Sequence, residues 1–282
     1  MQIREYSLPS GWYPRDSEAV TGFLKDFPQD KASVSSIAIA PHAGWYYCGH
    51  IAARAVSALQ GDAQTIAVLG GHLPSNYPAL FAMEDAVKTP FGNIPIDKEL
   101  RSSLMQKFED NPDDFLISED KARDNTIEVL LPMVRYYFPQ SELLWLRLPA
   151  HINSFKAGQI LYRTAKELNR KINVLASTDL THYGQNYGFS PQGKGEKALR
   201  WVREENDAKF IKAVESGDSV ETLRCAEKDF SSCSAGAVLG AMGFAAMQQK
   251  TLKLLEYGTS ADVDGKVVPD SFVGYAAFGE RG

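Results

Sequence analysis

Residues 34–72 of the chain are VSSIAIAPHAGWYYCGHIAARAVSALQGDAQTIAVLGGH. The two short apolar runs at 34–41 and 64–71 are typical of buried strands. Between them, the segment 49–60 places apolar residues at the three- and four-residue spacing of a helix. A strand, a helix and a second strand in succession indicate a βαβ unit with parallel strands. A histidine follows each run, at the strand end where open α/β sheets bind ligands: His42 and His72.

Further strand-like runs and helical patterns alternate along the rest of the chain. The runs lie at 142–150, 171–179, 252–260 and 271–279, and the helical patterns at 97–108, 153–171, 195–218 and 236–249. Because alternation of this kind builds βαβ units, we predict an α/β fold with a mixed, largely parallel sheet flanked by helices. We expect one domain over residues 1–282, since no linker-like stretch divides the chain.

Two segments are less regular. The segment 125–138 has helical periodicity but contains Pro132, which would remove a backbone hydrogen bond inside a helix. We therefore expect either a kinked helix or a junction between two shorter helices. Residues 184–195 hold four glycines and a proline, and this composition predicts a surface loop beside the proposed site.

Composition and motifs exclude several classes of protein. The net charge of −5, with acids interleaved among the bases, argues against a nucleic-acid partner. No apolar run is long enough to span a bilayer, and the first residues lack the pattern of a signal peptide. The three cysteines show no CxxC spacing, so we expect a cytoplasmic protein without disulfides. A phosphate-binding loop, a dinucleotide fingerprint and a nucleophile elbow are missing from the sequence.

His42 and His72 are the first candidate site residues. Pro41 and Gly44 place His42 on a short, stiff connection, and Gly70-Gly71 let a backbone or a ligand approach His72 closely. We expect the two preceding strands to pair side by side, which would bring the histidines together. The alternative for each histidine is a role in capping or packing the following helix.

The second group of candidates comes later in the chain. In Ser177-Thr178-Asp179-Leu180-Thr181-His182, a carboxylate beside an imidazole suits a general base. The alternative is that Ser177, Thr178 or Asp179 caps a helical turn. Cys233 precedes a helix of small residues, where a thiolate would be stabilised by the helix terminus or by a metal. The alternative is a buried cysteine that acts as a small apolar side chain. The remaining residues of these types are interpreted as ordinary ones: Cys48 and Cys225 as buried apolar groups, and His50 and His151 as helix-face and loop residues.

These side chains together suggest a metal site. Two imidazoles and a thiolate, with a third imidazole nearby, are ligands that suit a borderline transition metal such as iron or zinc. Each signal is weak alone, because none of the residues has the short fixed spacing of a known metal motif.

Several segments resemble the Memo family, whose bacterial and archaeal members include the AmmeMemoRadiSam system protein B. They are PHAGWYYCGH, LGGH, TIEVLLPMV, STDLTHYG, Cys233 and the closing TSADV…VVPDSFVGYAAF, in order from about residue 35 to the end. The resemblance implies a fold similar to class III extradiol dioxygenases, which hold a non-haem iron. It also implies metal binding by His42, His72 and Cys233, with His182 as acid/base group and Asp179 as its neighbour.

The chain departs from the family pattern at two positions. Asn125 stands where members often carry a histidine, and Ser234 follows the cysteine where a glycine is frequent. If the missing histidine helps to bind substrate, this member accepts a different ligand or none. The thiolate shifts the expected metal toward iron(II), with copper or zinc as alternatives.

Two functions of different classes follow. The first is a metal-dependent redox enzyme, a non-haem iron oxygenase or oxidase acting on a small molecule, with Trp45, Tyr46 and Tyr47 as pocket walls. The second is a binding or adaptor module that uses the same crevice for a peptide or small ligand, since a fold does not carry activity with it. A zinc hydrolase with His182 as base is a third possibility.

Overall fold

The computed structural model describes residues 1–29, 35–263, 265 and 267–280. Val34, the first residue of the strand expected at 34–41, lies outside the described residues. The strands are β1 (Ile3–Arg4), β2 (Ile37–Ala40), β3 (Thr65–Gly70), β4 (Ala79–Phe81), β5 (Ala86–Thr89), β6 (Gly92–Pro95), β7 (Ile117–Glu119), β8 (Glu142–Arg147), β9 (Ile172–Ser177), β10 (His182–Gly184), β11 (Leu252–Thr259) and β12 (Ser271–Glu280).

The helices lie mainly between the strands of the larger sheet. They are α1 (Ser17–Leu24), α2 (Trp45–Ser57), α3 (Lys98–Glu109), α4 (Asn125–Glu128), α5 (Leu131–Tyr137), α6 (Asn153–Glu167), α7 (Glu196–Trp201), α8 (Asp207–Ser216), α9 (Ser219–Asp229) and α10 (Ala235–Ala246). No helix in the described part of the chain combines the length and the apolar character that crossing a bilayer requires.

The centre of the larger sheet is parallel, with β2, β9, β3 and β8 as successive neighbours. The expectation that the strands before His42 and His72 pair side by side is wrong, because β9 lies between β2 and β3. The consequence for the site is direct. The end of β9, at Ser177, emerges between the two histidines instead of beside one of them.

Antiparallel strands extend this parallel centre on both sides. β12 pairs with β2, and both β10 and β11 pair with β12, while β4 runs antiparallel to β8. The prediction of a mixed, largely parallel sheet is therefore confirmed. A smaller sheet, in the order β1-β5-β6, ties the first residues of the chain to the body of the protein.

The core lies on both faces of the larger sheet. In β2, Ile37 and Ile39 pack with α6 and α10 on one face, and Ala38 and Ala40 pack with α1, α2 and α5 on the other. Helices α6 and α10 are in close contact, because a Cβ on Gly158 would overlap the carbonyl group of Gly240. The small residues of α10 are thus explained by the short distance between the two helices.

Two predicted helical segments are each divided into shorter helices in the structure. Of the alternatives for 125–138, the junction is found: α4 ends at Glu128, and α5 carries Pro132 in its first turn, where a missing N–H costs nothing. The helix expected at 195–218 is found as α7 and α8 joined by a π-helical segment, Val202–Asn206. It ends at Gly217 in the left-handed region, φ 76°.

Candidate metal centre

Two hydrogen-bonding partners hold His42 at the end of β2. Its ring Nδ1 lies 2.6 Å from Ser177 Oγ, and its backbone N–H donates to Asp179 Oδ1 at 2.7 Å. The side chain is almost fully buried. Helix α2 begins only at Trp45, and its N-cap, Gly44, has no side chain to cap it. His42 therefore does not serve as a helix cap, and its ring orientation is fixed by the end of β9.

His72 occupies a strained backbone position at the end of β3. Its φ is 56°, which a non-glycine residue adopts only when its surroundings enforce it. Gly71 lets this turn approach α10, since a Cβ there would overlap Ser234. His72 Nδ1 donates to Asp124 Oδ2 at 3.0 Å, so Nε2 is the nitrogen that can bind a metal once it has lost its proton.

Cys233 approaches from the opposite side, at the start of α10. Its Sγ lies 3.2 Å from His42 Nε2 and accepts a hydrogen bond from the backbone N–H of Asp179 at 3.3 Å. The backbone N–H of Cys233 in turn donates to the Asp179 carbonyl at 3.2 Å. These bonds fix the thiol against the loop that follows β9.

The ligand atoms of His42, His72 and Cys233 converge on a single point. They all lie within 4.8 Å of one another, and the two Nε2 atoms are 3.2 Å apart. Two imidazole nitrogens bound at about 2.0–2.1 Å to a tetrahedral ion are themselves about 3.3 Å apart. The spacing, the donor types and the partners on the opposite ring nitrogens all fit one transition-metal ion.

Charge within the centre favours a thiolate. Burial opposes ionisation of Cys233, but the charges and hydrogen bonds of His42 and His72 outweigh it and lower its pKa to about 6. Burial also opposes a charge on His72, yet the bonds to Asp124 and Cys233 raise its pKa to about 10. Burial lowers the pKa of His42. The metal-free centre thus favours a thiolate at Cys233 beside a protonated His72.

Asp124 and Arg147 fix His72 on the side away from His42 and Cys233. Arg147 Nε donates to the Gly71 carbonyl at 3.0 Å, and its guanidinium lies 3.2 Å from Asp124 Oδ2. Burial would raise the pKa of Asp124, but the hydrogen bonds from His72 and Thr126 and the charge of Arg147 hold it well below its usual range. Asp124 therefore stays ionised and orients the His72 ring.

Asp179 and His182 reach the same cavity by different routes. No helix begins at residues 177–179, so the capping alternative for Asp179 is wrong; its Oδ1 accepts from the His42 backbone instead. His182 Nδ1 lies 3.1 Å from the Leu180 carbonyl oxygen, which can only accept. The neutral ring therefore carries its proton on Nδ1, which leaves Nε2 as a base. Burial raises the pKa of Asp179, and the charge of His182 opposes that rise.

The cavity beside the metal centre has a volume of ≈ 830 Å³. Its walls are largely aromatic and polar, and include Trp12, Tyr47, Asn125, Asp179, His182, Asn186, Tyr187, Ser260, Ser271 and Tyr275. The ring of Tyr187 meets that of His182 edge-on, with 4.9 Å between centroids. Of the three aromatic residues expected to wall the pocket, Tyr47 does so, while Trp45 is buried in the core and Tyr46 lines a neighbouring groove.

Several residues of the centre were not singled out by the sequence. Asp124 caps α4 by accepting from Thr126 N at 2.9 Å, and an acid directly before a helix is the signal that could have drawn attention to it. Asn125, noted only as a departure from the family pattern, donates from Nδ2 to the His42 carbonyl at 2.9 Å. Trp12 reaches the cavity from a segment without periodicity, so no sequence signal pointed to it.

The residues interpreted as ordinary lie outside the His42–His72–Cys233 group. Cys48 and Cys225 are buried, and the described cysteines are all free. His50 is half-exposed on α2, with Nε2 at 3.7 Å from Glu256 Oε1. His151 lies in the turn before α6, where its Nδ1 accepts from the Asn153 backbone at 3.2 Å.

Comparison with known proteins gives a consistent result. The family model described as Memo-like protein matches residues 4–279. A MEMO1 family protein of Methanopyrus kandleri is 28% identical over 97% of each chain, and one of Pyrococcus abyssi is 28% identical over 98% of each. A MEMO1 family protein of Methanococcoides burtonii is 32% identical over 85% of this chain and 84% of its own.

A solved structure supports the fold. The crystal structure of an uncharacterized protein from Escherichia coli K12 has a TM-score of 0.51 and 13% identity, covering 86% of this chain and 98% of that chain. At this identity the likeness shows the fold alone. The predicted fold class, a single α/β architecture with a mixed, largely parallel sheet flanked by helices, is confirmed.

Proposed function

This chain belongs to the Memo family, and from that premise and the geometry of its centre we propose that it is a metal-dependent redox enzyme. The metal is iron(II), with copper or zinc as alternatives, and the reaction is of the oxygenase or oxidase type on a small molecule. The observation that carries the proposal is the convergence of ligand atoms of His42, His72 and Cys233 within 4.8 Å, beside a cavity that His72 lines. Iron held there would supply the one-electron chemistry that reaction with O₂ requires.

His182 is the proposed acid/base group. Its Nδ1 proton is directed to the Leu180 carbonyl, so Nε2 is the atom that accepts a proton from a bound substrate. The carboxyl group of Asp179 is buried, which raises its pKa, and it lies close enough to His182 for the charge of His182 to oppose that rise. The two residues thus hold and move a proton beside the metal ligands.

The cavity selects for a substrate that carries a ring. Trp12, Tyr47, Tyr187 and Tyr275 supply flat apolar faces, and Asn125, Ser260 and Ser271 supply hydrogen-bonding groups between them. Among the described lining residues, the groups able to carry positive charge are histidines. This lining favours an uncharged phenol or catechol-like compound over a strongly anionic one. A reducing cytoplasmic compartment would keep Cys233 as a thiol or thiolate.

The proposal is tested by O₂ consumption. Protein loaded anaerobically with iron(II) is mixed with a panel of catechols and related phenols under O₂, and uptake is followed with an oxygen electrode. We expect turnover in the wild type, loss of turnover together with iron in His42→Ala, and loss of turnover with iron retained in His182→Ala. His50→Ala is the matched control and should behave as the wild type. Iron-loaded protein that consumes no O₂ with any compound would contradict the proposal.

One observation favours the second candidate, a ligand- or peptide-binding module. Aromatic side chains at and beside the cavity mouth are exposed, with Tyr46 at 65%, Tyr47 at 45% and Tyr187 at 47%. Exposed aromatic groups of this kind are enriched at binding surfaces. Binding of the same compounds can be measured by quenching of tryptophan fluorescence. Compounds that bind but cause no O₂ uptake would favour the binding module over the enzyme.

A further inference from the structure

We infer that Asp207, a buried acid remote in sequence from every candidate site residue, is the positioning residue for His182. The inference rests on the proposed function only in that His182 is named there as the acid/base group. The contacts between Asp207 and the segment that carries His182 stand independently of it. They involve α8, β11, β12 and the loop between β9 and β10.

Asp207 forms hydrogen bonds with Thr181, the residue directly before His182. Its Oδ1 accepts from the backbone N–H of Thr181 at 3.1 Å and from Thr181 Oγ at 2.5 Å. Its other oxygen, Oδ2, accepts from the Tyr257 hydroxyl at 2.8 Å. Both Asp207 and Thr181 have 0% exposure. A fully buried carboxyl group that accepts from three donors fixes the position of the Thr181 backbone.

The neighbouring Asn206 holds the same residue. Its Nδ2 donates to Thr181 Oγ at 2.9 Å and to the Asp229 carbonyl at 2.8 Å. Asn206 is the last residue of the π-helical segment Val202–Asn206, and Asp207 is the first residue of α8. The wider π turn ends where two consecutive polar side chains are directed at Thr181. π-Helical turns are frequent at functional sites. Here the turn directs the side chains of Asn206 and Asp207 at Thr181.

Strand β12 closes the arrangement from the other side. Gly274 donates from its N–H to the Thr181 carbonyl at 3.0 Å and accepts from the Leu180 N–H at 2.8 Å. A Cβ at Gly274 would overlap Asp207 Oδ2, so only glycine allows the carboxyl group to sit against the strand. The backbone of Leu180 and Thr181 is therefore clamped between Asp207 and Gly274.

The clamp reaches His182 through the Leu180 carbonyl. That oxygen holds the Nδ1 proton of His182, so its position determines which ring nitrogen is the base and where that nitrogen points. In the described part of the chain no lysine or arginine forms an ion pair with Asp207. A buried acid without an ionic partner is costly to retain for stability alone. The role that accounts for a buried acid at this position is the orientation that Asp207 imposes on His182.

The test reads the tautomer of His182 by ¹⁵N-correlated NMR, with the signal assigned from His182→Gln. Spectra are recorded on metal-free and on Zn²⁺-loaded protein, because Zn²⁺ is diamagnetic and His182 is not among its ligands. Asp207→Ala removes both bonds to Thr181, and Thr181→Val removes only the hydroxyl that Asp207 and Asn206 share. Tyr257→Phe is the matched control, since it removes a bond to the same carboxyl group without affecting Thr181.

We expect a single Nδ1–H tautomer in the wild type and in Tyr257→Phe, and a mixture of tautomers in both Asp207→Ala and Thr181→Val. If Asp207→Ala does not fold, as judged by near-ultraviolet circular dichroism, Thr181→Val decides. A folded variant that keeps the wild-type tautomer would overturn the inference, and so would Tyr257→Phe if it mixes the tautomers equally. Because no turnover is measured, failure of the proposed enzyme activity leaves this result intact and is distinguishable from it.

Discussion

Proton positions at His42, His72 and Cys233 determine how the centre responds to metal. At neutral pH the metal-free site holds a Cys233 thiolate, since its pKa is lowered to about 6, and a protonated His72, since its pKa is raised to about 10. A metal requires all three groups in their deprotonated forms. His72 therefore has a proton to lose when a metal binds.

Metal binding at pH 7 should therefore release about one proton per site. The affinity should rise with pH accordingly, because His72 loses its proton more easily. Isothermal titration of Zn²⁺ or Fe²⁺ in buffers of different ionisation enthalpy measures the number released. A count of zero, or an affinity that does not change between pH 5.5 and 7.5, would argue against ligation by these residues.

Asp207 makes the free energy of unfolding depend on pH. Burial raises its pKa to about 6, against the hydrogen bonds from Thr181 and Tyr257. The folded protein thus binds this proton more tightly than the unfolded chain does. Its stabilising contribution is complete below the unfolded pKa of about 3.9 and is lost as pH rises through about 6.

The wild type should lose about 1 kcal/mol from this group between pH 5 and pH 8. Asp207→Asn has no such proton and should show a flatter dependence of the free energy of unfolding on pH. Urea unfolding of both proteins across that range measures the difference. Parallel curves for wild type and variant would show that the Asp207 carboxyl group is not perturbed.

At the scale of elements, the turn after β3 depends on Gly71. A Cβ there would overlap Ser234, so Gly71→Ala must push the His72 turn away from α10 and Cys233. We expect a loss of about 1–3 kcal/mol in the free energy of unfolding, together with weakened metal binding. Gly22→Ala in α1 is the control, because its Cβ would meet nothing within 4 Å. Equal metal affinity in the two variants would contradict this role for Gly71.

The element α4 anchors the N-terminal segment that carries Trp12. Buried Glu128 accepts from the Ser7 N–H at 2.8 Å, from the Ser7 hydroxyl group, from the Leu8 N–H at 3.2 Å and from the Tyr13 hydroxyl at 2.8 Å. Glu128→Ala leaves these donors without their acceptor, so residues 5–15 should become sensitive to proteolysis. Glu18→Ala, at an exposed position of α1, is the control. Unchanged cleavage rates in limited proteolysis would refute the anchor.

The longer strands of the larger sheet were predictable from sequence, but their order was not, and neither were the short strands β1, β4, β5, β6, β7 and β10. Apolar runs of strand length located β2, β3, β8 and β9, because burial on both faces leaves a local signature. Nothing local encodes which strands pair, so the insertion of β9 between β2 and β3 was missed. The π turn before Asp207 was missed for the same reason, since its polar side chains are satisfied by residues far away in sequence.

At the scale of the whole molecule, the fold brings His42, His72 and Cys233 together from three distant segments of the chain. The types that mark a metal centre, His42, His72 and Cys233, were recognisable because each follows an apolar run or precedes a helix. Asp124 and Arg147, which orient His72, were not recognisable from sequence, because only the fold brings these two charged residues together. The cavity wall at Trp12 depends on an N-terminal segment held by Glu128, which only the assembled molecule shows.

The central claim is that one metal ion is held by two imidazoles and one thiolate. X-ray absorption at the iron edge, on protein loaded anaerobically with one equivalent of iron(II), tests it directly. We predict one sulfur and two imidazole scatterers in the wild type, and loss of the sulfur alone in Cys233→Ala, with Cys225→Ala unchanged. An iron shell of oxygen and nitrogen atoms without sulfur in the wild type, or one that is identical in Cys233→Ala, would contradict the account.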